Sequence, residues 1–148
     1  MSKYEILKSY EQFLVYVQDI FGDRVTNNVQ LDNLCYKLFG SDYLGTYSSN
    51  MFPKYIKRGQ VFILNTQSSR KSGEHWVAFA KLNNGTLIYY DSYARNKSEL
   101  SKYWKNRKMV NANKTDRDQS YKSEECGSRC IAFLILVKRF GEKAINIV

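Results

Sequence analysis

Histidine occurs once in this chain and proline once, and each scarcity narrows what the protein can be. A single imidazole excludes a histidine-rich zinc centre. Cys126 and Cys130, with nothing paired elsewhere, are a poor start for a structural one, so no metal is expected. One proline argues for ordinary globular structure rather than a biased, low-complexity segment. Cysteine is sparse and odd in number, and three thiols fit a reducing compartment better than a disulfide framework. No apolar run approaches the roughly 20 residues of a membrane span, and Met1-Ser-Lys-Tyr-Glu has no secretory apolar region. Acidic residues are also short: 14 against 23 lysines and arginines, a net charge of +9. That balance suits a polyanionic partner, with a solvated basic surface as the plain alternative.

What is present reads as one globular domain over residues 1–148. Hydrophobic content of 43% with 15% aromatic excludes disorder, and the chain is long enough to bury a core. Residues 4–20 place Ile6, Leu7, Phe13, Leu14, Val17 and Ile20 at helical spacings up to Gly22. A shorter helix over about Leu31 to Leu38, with Cys35 on its core face, stops at Gly40. Ser41 to Gly59 reads as an ordered loop, and Gln60 to Asn65 as a strand buried on both faces. Two further strands are expected at His75–Lys81 and Thr86–Asp91, and a short helix over Glu99 to Lys105 with Ser98 as its cap.

The stretch around which the rest is organised is Cys126-Gly-Ser-Arg-Cys130 running into Ile131-Ala-Phe-Leu-Ile-Leu-Val137. Seven apolar residues, then Lys138-Arg139-Phe140-Gly141, predict a helix buried on most sides, with Cys126 at its N-terminus. Unbonded amides and the positive dipole end favour a thiolate there, and an oxyanion forming beside it. A Cys-Gly pair taken alone reads more plainly as a buried cysteine opening a core helix.

The partners of that cysteine follow from a register argument. A three-residue loop Asn83-Asn84-Gly85, with Gly85 in the left-handed region, pairs Leu82 with Thr86 and Val77 with Asp91. His75 and Asp91 then share a face as diagonal neighbours. A two-residue Asn84-Gly85 turn would instead put them on opposite faces. His75 is the one base available to a cysteine nucleophile, and Asp91 could fix its tautomer. Gln119 offers a side-chain amide to the oxyanion. Each residue has a plain reading by itself, as strand-end histidine, strand terminator or surface glutamine. Jointly, in the order His, Asp, Gln, Cys, they point to a cysteine hydrolase.

At these residues the chain resembles the adenovirus-type processing proteases, or adenains, within the group that includes the proteases of SUMO and ubiquitin-like proteins. The resemblance spans about Asp42 to Gly141. It rests on Tyr43-Leu-Gly-Thr-Tyr47, Phe52-Pro53, Asn65-Thr66, Gly73-Glu-His-Trp-Val-Ala-Phe-Ala80, Asp91, Gln119 and Cys126-Gly127. It implies an α+β fold in which a mixed sheet packs on a central cysteine-bearing helix, a papain-like core with permuted catalytic order. It implies a viral endopeptidase that cuts capsid and core precursors at glycine-containing sites, in the virion and the host compartment of assembly. Cys126 would be nucleophile, His75 general base, Asp91 its orienter and Gln119 the oxyanion donor. DNA would be an activating cofactor, and a monomer is expected.

The chain also departs from that family. Asp91 stands where adenains have glutamate and the SUMO proteases have aspartate, so Asp91→Glu is expected to be a mild change. Glu124-Glu125 and Ser128-Arg129 replace small and apolar residues around the thiol. No cysteine between Asp91 and Gln119 could accept a disulfide-linked activating peptide, so none is expected. From Ser101 to Arg117, six cations (Lys102, Lys105, Arg107, Lys108, Lys114 and Arg117) face one acid, Asp116, and form the candidate DNA contacts. Two other readings stay open: a deconjugating protease of a ubiquitin-like protein, and a non-enzymatic nucleic-acid-binding domain.

Overall fold

The computed structural model describes residues 1–22, 27–66, 75–113 and 125–147. Within them lie α1 (Lys3–Phe21), α2 (Asn28–Phe39), β1 (Tyr43–Tyr47), β2 (Val61–Asn65), β3 (Trp76–Lys81), β4 (Leu87–Tyr90), α3 (Lys97–Leu100), β5 (Val110–Asn111) and α4 (Cys126–Phe140). The protein is α+β, with a mixed five-stranded sheet in the order β1-β2-β3-β4-β5. The central pairs β2–β3 and β3–β4 are antiparallel, and the outer pairs β1–β2 and β4–β5 are parallel.

Local chemistry sets the long helices. Ser2 and Glu5 form a reciprocal cap on α1, and Asn27 and Gln30 do the same for α2, each satisfying two first-turn amides. Gly22, Gly40 and Gly141 end α1, α2 and α4. Along α1 the buried residues are Ile6, Tyr10, Leu14 and Val17, one face at helical spacing. In α4 ten of fifteen residues are buried, so this helix has neighbours on most sides, as its unbroken apolar run predicts. It packs between α1 and β3.

The sheet is covered on both faces, which is why every residue of β2 is buried. Toward α1, α2 and α4 it presents Val61, Ile63, Ala78, Ala80, Ile88 and Tyr90, with the Tyr90 ring stacked on Phe133 at 4.5 Å. The opposite face carries Phe62 and Phe79, stacked at 5.0 Å, with the Phe52 and Trp104 rings standing edge-on against Phe79. Trp104 completes its hydrogen bonding through Nε1 to the Ser49 carbonyl, at 2.9 Å.

The β3–β4 hairpin takes the three-residue loop. Leu82 N donates to Thr86 O at 2.8 Å, Gly85 N to Leu82 O at 2.9 Å, and Gly85 has φ 91°. Ala78 pairs with Tyr90 and Lys81 with Leu87, the register in which His75 and Asp91 are diagonal neighbours.

Three elements depart from the sequence reading. Tyr43–Tyr47, expected within a loop, is the edge strand β1. Its register with β2 shifts between Tyr43 and Thr46, around Gly45 at φ 138°, so the segment lacks regular alternation. The helix expected over Glu99 to Lys105 is one turn, Lys97–Leu100, capped by Asn96 rather than Ser98. It stops because Ser101 is extended (φ −162°), and Trp104 is buried in the aromatic cluster. β5 is two residues long and was not expected at all.

Candidate active site

Cys126, His75 and Asp91 meet where the N-terminus of α4 reaches the β3–β4 end of the sheet. Their exposures are 8%, 6% and 0%. His75 Nε2 lies 2.5 Å from Asp91 Oδ1, and Cys126 is near enough to act on the imidazole's charge. With Nε2 spent on the carboxylate, Nδ1 is the ring atom left to take the thiol's proton. Burial pulls the His75 imidazole down, but the bond to Asp91 and the charges of Asp91 and Cys126 outweigh it, so the net shift is upward. Burial likewise works against the Asp91 carboxylate, and His75 and Arg95 overcome it, holding the group down at about 2.

These opposite shifts have a pH signature. Asp91 is held below its unfolded value, so its stabilisation is present above about pH 4 and is lost as pH falls toward 2. His75 is raised, so its share is present below its unfolded value and is lost as pH rises through the folded one. Unfolding free energies from urea titrations at several pH values should therefore fall more steeply below pH 4 in the wild type than in Asp91→Asn, by on the order of 2 kcal/mol. Parallel curves would contradict the buried pair.

The other two thiols are ordinary core groups. Burial raises Cys35 to about 12 and pushes Cys130 well above the usual thiol range, with neighbouring Cys126, Asp91 and Cys35 adding to the latter. Cys130 sits one helical turn from Cys126 and is 1% exposed.

Beside the thiol, Glu125 and Arg129 are partners of each other. Glu125 occupies the N-cap position of α4 but makes no side-chain cap. Its carboxylate is held by Arg129, with Nη2 at 2.8 Å and Nε at 2.9 Å. The first-turn amides are thus uncapped by that side chain and suited to receive an oxyanion. Arg129 also donates through Nη1 to Tyr10 Oη at 3.3 Å, and Tyr10 Oη lies 3.0 Å from Tyr90 Oη. Arg129 therefore ties α4 to α1 and β4.

Sequence reasoning missed the turn that follows Asp91. Arg95 Nε and Arg95 N each donate to Asp91 Oδ2 at 3.0 Å, and Tyr93 N donates to Oδ1 at 3.2 Å. The Tyr93 ring stacks on His75 with centroids 4.8 Å apart. Asn113 Nδ2 donates to the Asp91 carbonyl at 3.0 Å. An arginine four residues after an aspartate outside any helix gives no sequence signal for such a contact.

Of the candidate DNA contacts, Lys102, Lys105, Arg107 and Lys108 are exposed, and Arg107 lies over the Phe52 ring at 4.3 Å. Lys114, Arg117 and the candidate oxyanion donor Gln119 lie outside the described residues. Among the described residues, no group of three or more His, Cys, Asp or Glu could hold a metal ion. No helix among them is long and apolar enough to cross a membrane. Comparison of the chain with protein-family models and with curated proteins returns no significant match.

Proposed function

We propose that this chain is a cysteine endopeptidase and, more particularly, a viral processing protease of the adenain type that cleaves capsid and core precursors at glycine-containing sites. The observation that supports the first step is the juxtaposition of Cys126 with the bonded His75–Asp91 pair at the N-terminus of a buried helix, built on the chain's one histidine. His75 Nδ1 takes the thiol proton as sulfur attacks the scissile carbonyl carbon. The resulting oxyanion lodges against the first amides of α4, with Gln119 proposed as a further donor. Collapse expels the amine, which leaves with the proton from His75, and a water deprotonated by the same imidazole then hydrolyses the thioester. Asp91 keeps the imidazole in one tautomer and stabilises its charge throughout.

The second step rests on the sequence resemblance. A thiol-directed activity probe with purified protein tests the first, since labelling should be confined to Cys126. Incubation with candidate virion precursors, followed by sequencing of the new termini, tests the second. Aspartate at the orienting position favours one alternative, a deconjugating protease, and cleavage of a SUMO-type conjugate but not of precursors would select it.

DNA is proposed as an activating cofactor, supported by the exposed Lys102, Lys105, Arg107 and Lys108 and by the net charge of +9. Binding should be indifferent to base sequence and should weaken steeply with salt through counterion release. Lys105→Ala is expected to lower the salt slope by about one unit while leaving peptide cleavage without DNA unchanged. Peptide turnover with and without duplex DNA at two salt concentrations checks this. No binding at low salt would remove the cofactor, and binding with no change in rate would make DNA a tether.

A further inference from the structure

The carboxylate of Asp91 is shared between an imidazole and a guanidinium. Oδ1 faces His75 and the Tyr93 amide, whereas Oδ2 faces the Arg95 amide and guanidinium. The segment Asp91–Arg95 closes on itself through Ala94 N, which donates to Asp91 O at 2.9 Å. Ala94 is left-handed (φ 58°), an uncommon conformation for a residue with a Cβ. That reversal is what returns Arg95 to the carboxylate four residues before it. Both ends of the turn are tied to the β5 region, since Asn113 Nδ2 donates to Asp91 O and Asn111 Nδ2 to Arg95 O at 3.4 Å. Within the turn the Tyr93 ring stacks on His75 and also carries the Arg95 guanidinium 5.0 Å from its centroid.

We propose that Arg95 is a positioning residue of this site: it fixes Asp91 with one oxygen toward His75 and, as a second cation on that carboxylate, limits how firmly the imidazole's proton is retained. A buried aspartate with an imidazolium as its one partner stabilises the charged ring strongly, which suits a structural ion pair better than a base that must release its proton. A guanidinium stays charged across the working pH range, so the sharing is permanent. Arg95 Nε and the Arg95 amide both hold Oδ2, which leaves Oδ1 turned toward His75. Among the described residues, the titratable groups around the pair are Cys126 and Cys130 of α4, Tyr89 of β4, and Tyr93 and Arg95 of the turn. Arg95 is the fixed cation of that set. Its role in turnover rests on the peptidase reading, but its hold on His75 does not.

Because His75 is the sole histidine, its ring protons can be followed by NMR without assignment against others. The titration is read in a Cys126→Ala background, which removes coupling to the thiol, with Arg95 intact, as Arg95→Met or as Arg95→Lys. The Arg95 side chain is 30% exposed, so the methionine variant should remain folded, which circular dichroism checks. Arg95→Met should raise the His75 midpoint and Arg95→Lys should return it toward the parent value. An unchanged or lowered midpoint in folded Arg95→Met would overturn the charge-sharing role. With Cys126 restored, Arg95→Met should lower kcat about tenfold with KM little changed, and Arg95→Lys should recover only part of the loss. An undiminished kcat would overturn the positioning role. A protein with no turnover in any form, but with the expected titration shift, would sink the peptidase reading and leave the Arg95 hold standing.

Discussion

Cys126→Ser is expected to abolish turnover, by a factor on the order of 10⁴ to 10⁶, while Cys130→Ala leaves it near the wild-type rate. The two thiols lie one helical turn apart, yet their surroundings separate them. Cys126 lies beside His75 at the N-terminus of α4, whereas Cys130 is 1% exposed within the apolar core. A hydroxyl is a far weaker nucleophile than a thiol in a site built around an imidazole of this kind. Loss of the Cys130 sulfur removes only packing, on the order of 1–2 kcal/mol, and is read as a lower urea midpoint. Peptide turnover and urea midpoints on both variants separate the two effects. Equal loss of turnover in two folded proteins would overturn the assignment of the nucleophile.

His75→Ala is expected to be nearly as damaging, because no second histidine exists to take over the proton. Asp91→Asn should lose about 10²- to 10⁴-fold in kcat/KM, since the amide cannot stabilise a charged ring and can present the wrong tautomer. Asp91→Glu is the informative variant. Under the proposed adenain reading it restores that group's residue and should be a mild change. The turn argues that it is not neutral. Four donors converge on an aspartate-length arm: His75 Nε2, the amides of Tyr93 and Arg95, and Arg95 Nε. An added methylene moves both oxygens away from amides that cannot follow, so about a tenfold loss is expected, between wild type and Asp91→Asn. Steady-state kinetics on the three folded variants give the order directly. Wild-type activity in Asp91→Asn would place the orienting role elsewhere.

How far the site could be read from the sequence depended on regular geometry. Asn83-Asn84-Gly85 has the residue that a three-residue loop requires, and that loop carried His75 and Asp91 to adjacent positions. The apolar run after Cys126 could hardly be anything but a buried helix, and Gly141 marks its end. Arg95 was invisible because its approach depends on Ala94 in a conformation that alanine does not advertise. β1 was hidden by Gly45, which reads as a loop residue and in fact marks an irregular edge. β5 is too short for any periodicity, although Asn111 within it and Asn113 just beyond clasp the turn after Asp91. The missed features are those held by side-chain-to-backbone bonds, which leave no pattern in hydrophobicity.

The packing of α1 against α4 has a consequence for biosynthesis. Arg129 bonds Tyr10 across 119 positions of chain, and Ile6, Tyr10, Leu14 and Val17 are buried in the core that α4 completes. On the ribosome, α1 emerges long before its counterpart and must wait with that face uncovered. Contacts of such sequence separation form late, once most of the chain is available. The same late event brings Cys126 to His75, so a nascent chain holds the His75–Asp91 pair without that thiol. Completion of the fold and assembly of the candidate site therefore coincide.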